Sequence, residues 1–149
     1  MLYIVKRDIT TFPGYICHQC NCVSKGTKGL AKKLFDKYPW ANTYGEFRQF
    51  GTVDIKYPPA YPSSDTGPII VNMYSQYMPG NNEKKGFDRH EAFLRCLEII
   101  DSEFKGEELA FPYKVGCGLA GGDWEGFYKP VLEAFSIGRK IVICQYKEE

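Results

Sequence analysis

Two spacings of apolar residues alternate along this chain. Short apolar or alternating runs bounded by turn formers, at Leu2 to Lys6, Tyr15 to Cys20, Gly51 to Tyr57, Ile69 to Tyr74, Glu108 to Pro112 and Ile141 to Tyr146, predict strands. Between them the spacing turns helical. Leu30, Ala31, Leu34, Phe35 and Tyr38 share one face, Lys32, Lys33, Asp36 and Lys37 the other, and Pro39 closes the segment. Phe93, Cys96, Leu97, Ile100 and Phe104 mark a second helix; Trp124, Phe127, Tyr128, Val131, Leu132 and Phe135 mark a third. Pro130 conflicts with a helix interior, so this helix either kinks there or becomes regular near Lys129 with proline in its first turn.

Strands alternating with helices, with no internal repeat or low-complexity linker, predict an α/β protein. The expected architecture is a three-layer α/β/α sandwich around a mixed sheet. Periodicity leaves the strand order open. At 149 residues the chain suits one domain spanning residues 1–149, which buries roughly 70% of the surface its unfolded form exposes. The stretch Met78 to Gly86 is polar and rich in turn formers and reads as a solvated connection, with the edge of a ligand cleft as the lesser alternative.

A net charge of +1 gives no broad basic field, which argues against general binding to nucleic acid or membranes. Met1 to Arg7 holds too short an apolar stretch for a signal peptide, and no run reaches membrane-spanning length, so a cytoplasmic chain is expected. The six cysteines, Cys17, Cys20, Cys22, Cys96, Cys117 and Cys144, fall mostly in apolar strands or helices and read as reduced core thiols. Cys17, His18, Cys20 and Cys22 lack the second ligand pair of a zinc site, and strand alternation turns Cys17 away from Cys20. No metal is expected.

Two strand-to-helix loops carry the candidate chemistry. Val115 to Trp124 holds Gly116, Gly118, Gly121 and Gly122. Such a run brings backbone close to a ligand and aims successive N–H groups at it beside a helix N-terminus, a fit for phosphate or diphosphate. Ile16 to Ala31 likewise passes from an apolar run through polar and glycine residues into a helix. In α/β sheets loops of this kind gather at the carboxyl ends of the strands, where ligands bind.

From Asp8 to the last strand the chain resembles the macro domain superfamily, the ADP-ribose-binding fold. His18-Gln19-Cys20-Asn21-Cys22, followed by Gly29-Leu30-Ala31 and Tyr38-Pro39, resembles the fungal-type ADP-ribose-1″-phosphate phosphatases. Gly116-Cys117-Gly118-Leu119 with Trp124 resembles the branch containing terminal ADP-ribose glycohydrolases. The resemblance implies parallel central strands and an elongated cleft formed by the loops at one end of the sheet. Gln76 and Ala120 stand where the glycohydrolase branch carries a lysine nucleophile and an acidic partner, so a lysyl-ribose route is excluded at that site.

By resemblance, Asp8 accepts from the adenine amino group, with the backbone of Ile9 against the same base; the alternative is an ordinary turn cap. Asn21 is matched to the hydroxyls of the distal ribose, having both a donor and an acceptor. Thr27, Lys28 and Gly29 form the loop beside it, although relatives often carry glycine at the first two positions. Gly116, Cys117, Gly118, Leu119, Ala120 and Gly121 would wrap the diphosphate through backbone N–H groups. His18 corresponds to a histidine associated with turnover, as acid, water-orienting group or nucleophile; a buried strand histidine is the competing role. Asp123 is a second catalytic candidate, in competition with capping of the last helix. The implied function is hydrolysis of ADP-ribose-1″-phosphate to ADP-ribose and phosphate, without a cofactor. The alternatives are a non-catalytic module for ADP-ribose or ADP-ribosylated protein, and a mono-ADP-ribosyl hydrolase.

Overall fold

A computed structural model describes residues 1–62, 67–81, 84–116 and 122–146. Its strands are β1 (Leu2–Lys6), β2 (Tyr15–Asn21), β3 (Val53–Lys56), β4 (Ile69–Gln76), β5 (Leu109–Pro112) and β6 (Ile141–Gln145), and its α-helices are α1 (Gly29–Lys37), α2 (Arg89–Glu103) and α3 (Lys129–Phe135). The strands form one sheet in the order β1-β6-β5-β2-β4-β3. All neighbours are parallel except β3, which runs antiparallel along the outside of β4. Antiparallel pairing suits an edge strand whose residues are only half-buried.

The sheet is covered on both faces, which is why β2 and β4 each open on consecutive apolar residues, Tyr15 to Cys17 and Ile69 to Val71. Ile16, Cys20, Ile70 and Tyr74 pack with Ala31, Leu34 and Phe35 of α1 on one side. Cys17, Val71 and Met73 pack with Phe93, Cys96, Leu97 and Ile100 of α2 and Leu132 of α3 on the other. Alternation along β2 thus sends Cys17 and Cys20 to opposite layers. Cys17, Cys20, Cys96 and Cys144 are buried free thiols and Cys22 is a half-buried one, while Cys117 lies outside the described residues.

The Pro130 conflict is resolved at the chain's last helical segment. Trp124–Tyr128 forms a π-helical turn, and α3 continues from it at Lys129 with Pro130 in its first turn. Helix α2 starts earlier than its apolar stripe indicates, because Asp88 caps it by accepting from the backbone N–H groups of His90 and Glu91 at 2.9 and 3.1 Å. The His90 ring lies flat on Phe127 at 3.7 Å, so this histidine serves packing.

Candidate functional site

One cleft of about 1060 Å³ opens at the carboxyl ends of the parallel strands. Asp8 and Ile9 after β1, Asn21 after β2, Gly80 and Asn81 after β4, Tyr113 to Gly116 after β5, and Tyr146 after β6 all line it. Both strand-to-helix loops therefore border the same space. Among the described lining residues, Lys28, Lys33 and Lys114 stand against a single carboxylate, Asp8, a balance suited to an anionic guest. Helix α1 points its N-terminus here: Lys28 at its N-cap makes no side-chain capping bond, no acidic residue occupies its first turn, and Gly29 to Ala31 line the cleft. Open first-turn N–H groups and the helix dipole favour negative charge at that spot.

The loop after β2 is held from inside. Asn21 is buried; its Oδ1 accepts from the N–H groups of Val23 and Ser24 at 3.1 and 2.8 Å. Its Nδ2 donates to the Tyr44 hydroxyl at 3.3 Å, and its backbone N–H donates to the same oxygen at 3.1 Å. Buried Arg48 donates to the carbonyls of Asn21 at 3.0 Å and Ser24 at 2.6 Å, and its guanidinium lies 4.4 Å from the centre of the Tyr44 ring. Arg48→Lys keeps the charge but loses the planar fork that reaches both carbonyls. It is expected to cost about 1–2 kcal/mol, read as a lower urea midpoint; an unchanged midpoint would show that the fork does not hold the loop.

His18 sits 1% exposed at the cleft floor. It pairs in register with Asn72 on β4, which pairs with Asp54 on β3, so three polar side chains cross the sheet in one row. Asn72 Nδ2 donates to the Ala41 carbonyl at 3.1 Å, which turns Asn72 Oδ1 toward His18 Nε2 at 2.5 Å. An amide oxygen only accepts, so Nε2 carries the proton and Nδ1 the lone pair. Burial lowers the His18 pKa to about 4, with the Asn72 hydrogen bond partly opposing it. The ring is therefore neutral near pH 7.

A second set of bonds holds the wall after β4. Ser75 donates to Gln19 Oε1 at 2.9 Å, Gln19 Nε2 donates to Gln76 Oε1 at 3.1 Å, and Gln76 Nε2 donates to the Gly80 carbonyl at 3.1 Å. Buried Arg89 also donates to the carbonyls of Met78 and Gly80, at 3.1 and 2.9 Å. The expectation of a solvated connection is thus corrected for Pro79 to Asn81: they line the cleft, and buried donors tether the chain there.

The ends of the glycine loop are fastened to each other, since the Gly122 N–H donates to the Gly116 carbonyl at 3.0 Å. Gly116 has a positive φ of 75° and lines the cleft. Cys117, Gly118, Leu119, Ala120 and Gly121 lie outside the described residues.

Of the other candidates, Asp8, Ile9, His18, Asn21, Lys28, Gly29 and Gly116 share the cleft, whereas Thr27 and Asp123 are not among its lining residues. Asp123 is exposed and caps the π-helical turn, its Oδ1 accepting from the Gly126 N–H at 2.9 Å. Asp8 is also a cap: its Oδ1 accepts from the N–H and hydroxyl of Thr10 at 3.0 and 2.9 Å. Tyr146, the last residue of the strand expected over Ile141 to Tyr146, instead follows β6 and lines the cleft. Arg48, Tyr44, Gln19, Asn72 and Arg89 escape a reading of the sequence because they sit in segments without periodicity or act through cross-strand register. A single arginine among mixed residues is too common to single out.

Among the described residues, no cluster of His, Cys, Asp or Glu could hold a metal ion, and no helix is long and apolar enough to cross a membrane.

No family model and no curated protein matches this chain. Solved structures do. The macrodomain of DarG from Mycobacterium tuberculosis superimposes with a TM-score of 0.69 at 20% identity, covering 99% of both chains. The macrodomain of DarG from Thermus aquaticus gives 0.62 at 16% identity, covering 99% of this chain and 98% of its own. DarTG of Thermosipho africanus, solved in complex with ADP-ribose, gives 0.71 at 19% identity over 99% of this chain and 42% of that one. The chain has the macrodomain fold, a mixed, mostly parallel sheet between helical layers.

Proposed function

We propose that the chain, as one macro domain over residues 1–149, binds ADP-ribose in this cleft and acts on ADP-ribose-1″-phosphate. The observation that carries the reading is the convergence of both strand-to-helix loops, with the uncapped N-terminus of α1 and three lysines, on one space at the carboxyl ends of the strands. The fold shared with a protein that was solved holding ADP-ribose supports the same ligand. Adenine is assigned to Asp8 and Ile9. Asp8 Oδ2 takes no hydrogen bond among the described residues and remains able to accept the amino group. The diphosphate is assigned to Gly116 and, by resemblance, to residues 117–121; the distal ribose is assigned to Asn21, with Lys28 and Gly29 beside it. Asn21 Oδ1 is spent on the loop, so its part here is donation from Nδ2.

Hydrolysis of the 1″-phosphate moves the phosphoryl group to water and returns a proton to the ribose oxygen. With Nε2 protonated toward Asn72 and the pKa near 4, a His18 role in turnover would run through Nδ1 as base or nucleophile; donation as a general acid near neutral pH is disfavoured. That burial also favours a second reading, a binding module for ADP-ribose or ADP-ribosylated protein, with His18 purely structural. A mono-ADP-ribosyl hydrolase is tested by release of ADP-ribose from modified protein.

Calorimetric titration with ADP-ribose is expected to give saturable one-site binding, and ligand at a hundredfold excess over Kd should stabilise the fold by about 2.7 kcal/mol. No binding would overturn the whole reading. Phosphate released from ADP-ribose-1″-phosphate would support the enzyme, and tight binding without release the module. A His18→Gln variant that folds and keeps the full rate would remove His18 from catalysis.

A further inference from the structure

Tyr44 lies on the segment between α1 and β3 and is absent from the sequence-derived candidates. Its ring is held edge-on by Phe35, centroids 5.9 Å apart, and covered by the Arg48 guanidinium at 4.4 Å. Its backbone N–H donates to Asn42 Oδ1 at 2.8 Å. The hydroxyl is therefore placed by three independent neighbours, and the residue lines the cleft at its Asn21 end.

The proton inventory at this hydroxyl has one term left over. The oxygen accepts twice from Asn21, at 3.1 Å from N and 3.3 Å from Nδ2. The direction of those bonds follows from the loop: Asn21 Oδ1 already accepts from Val23 and Ser24, so the amide cannot be turned to accept from the phenol. A phenol oxygen with two donors on it must send its own hydrogen elsewhere, and no described residue accepts it. The nearby Arg48 donors are committed to the carbonyls of Asn21 and Ser24. This end of the cleft thus offers hydrogens, from Tyr44 and the second Nδ2–H of Asn21, and no side-chain acceptor from either residue.

We infer that Tyr44 donates its hydroxyl hydrogen to an anionic oxygen carried on the distal ribose, which makes it a specificity-determining residue for a ligand phosphorylated at that end. A phosphomonoester has acceptors only, or a single proton beside several acceptors, and matches a donor-only corner. A bare ribose hydroxyl gains less there, because a hydrogen bond to a charged acceptor is the stronger kind. The inference rests on the proposed ADP-ribose reading and assigns the feature of the ligand that this corner selects.

The test compares two ligands on two proteins. Dissociation constants for ADP-ribose and for ADP-ribose-1″-phosphate are measured on the wild-type chain and on Tyr44→Phe, with incubations short enough that turnover is negligible. Phenylalanine keeps the ring between Phe35 and Arg48 and removes the hydroxyl alone. The phosphorylated ligand is expected to lose roughly ten- to a hundredfold in affinity, the range for a hydrogen bond to a charged group, and ADP-ribose only a few-fold. The ratio of the two losses is the readout, since loosening of the Asn21 loop or partial unfolding lowers both affinities alike. Equal losses would assign Tyr44 a structural part only and overturn the inference, as would unchanged affinities. Failure of the wild-type chain to bind either ligand would remove the ADP-ribose reading itself and this inference with it. Should Tyr44→Phe not fold, wild-type protein labelled at the tyrosine ring carbon bearing oxygen supplies the measurement: the Tyr44 resonance should shift on adding the phosphorylated ligand and much less with ADP-ribose. The same shift with both would overturn the inference.

Discussion

Replacing Gly116 by alanine is expected to destabilise the chain by about 2–4 kcal/mol, combining the left-handed backbone penalty with overpacking. The residue has φ 75°, and an added Cβ would stand 2.7 Å from Tyr128 Cζ and 2.9 Å from its hydroxyl oxygen. That ring cannot retreat. Tyr128 is 1% exposed and meets Phe93 edge-on at 4.9 Å and His90 at 5.6 Å. Gly116 also supplies the carbonyl that accepts from Gly122, so the clash falls on the bond fastening the two ends of the glycine loop. The thermal midpoint should fall by about 5–15 °C, and the proposed binding of ADP-ribose should weaken with it. Gly138→Ala is the matched control, because nothing lies within 4 Å of its added Cβ and its φ is ordinary; it is expected to stay within about 0.5 kcal/mol of wild type. A Gly116→Ala protein as stable as the control would show that the close approach to Tyr128 carries no weight.

Stability is expected to fall by about 3 kcal/mol as the pH drops from 6.5 to 4 through His18 alone. The folded chain holds this ring neutral down to a pKa of about 4, whereas the unfolded chain protonates it near the ordinary histidine value of 6.5. Below 6.5 the unfolded state therefore binds the proton first and gains on the folded one. The contribution is complete above pH 6.5, declines through the window, and is exhausted once the pH passes below the folded value. Carboxylates titrate in the same range, so the measurement is a difference between wild type and His18→Gln. Glutamine can donate to Asn72 Oδ1 without titrating, and urea midpoints of the two proteins should diverge between pH 6.5 and 4. Parallel curves would mean that the ring is not buried as a neutral donor.

These two residues divide along the line between what a pattern can show and what it cannot. Gly116 announces itself by its place in a glycine run between an apolar strand and a helix. Nothing in the sequence reveals that Tyr128, twelve positions on, packs against it. His18 is legible as a histidine within an apolar run, which leaves turnover and burial equally open. Its partner comes from register: Asn72 stands opposite on β4, turned by the Ala41 carbonyl of a separate turn. Arg48 and Tyr44 have no local signature. They matter because the chain beyond α1 folds back over the loop after β2 and delivers a planar cation and a phenol to it.

The alternation of strand and helix periods and the glycine-bearing loops between them were determined by the sequence itself, because each depends on neighbours within a few positions; at Pro130 the sequence offered a kink or a helix start, and the structure chose the start. The tertiary structure alone decided the antiparallel edge at β3, the tether on Gly80, the tautomer of His18 and the two bonds that Asn21 donates to the Tyr44 hydroxyl. Those properties depend on which atoms meet across strands and loops far apart in the chain, and a hydrogen bond reads distance and direction in space, not position along the backbone.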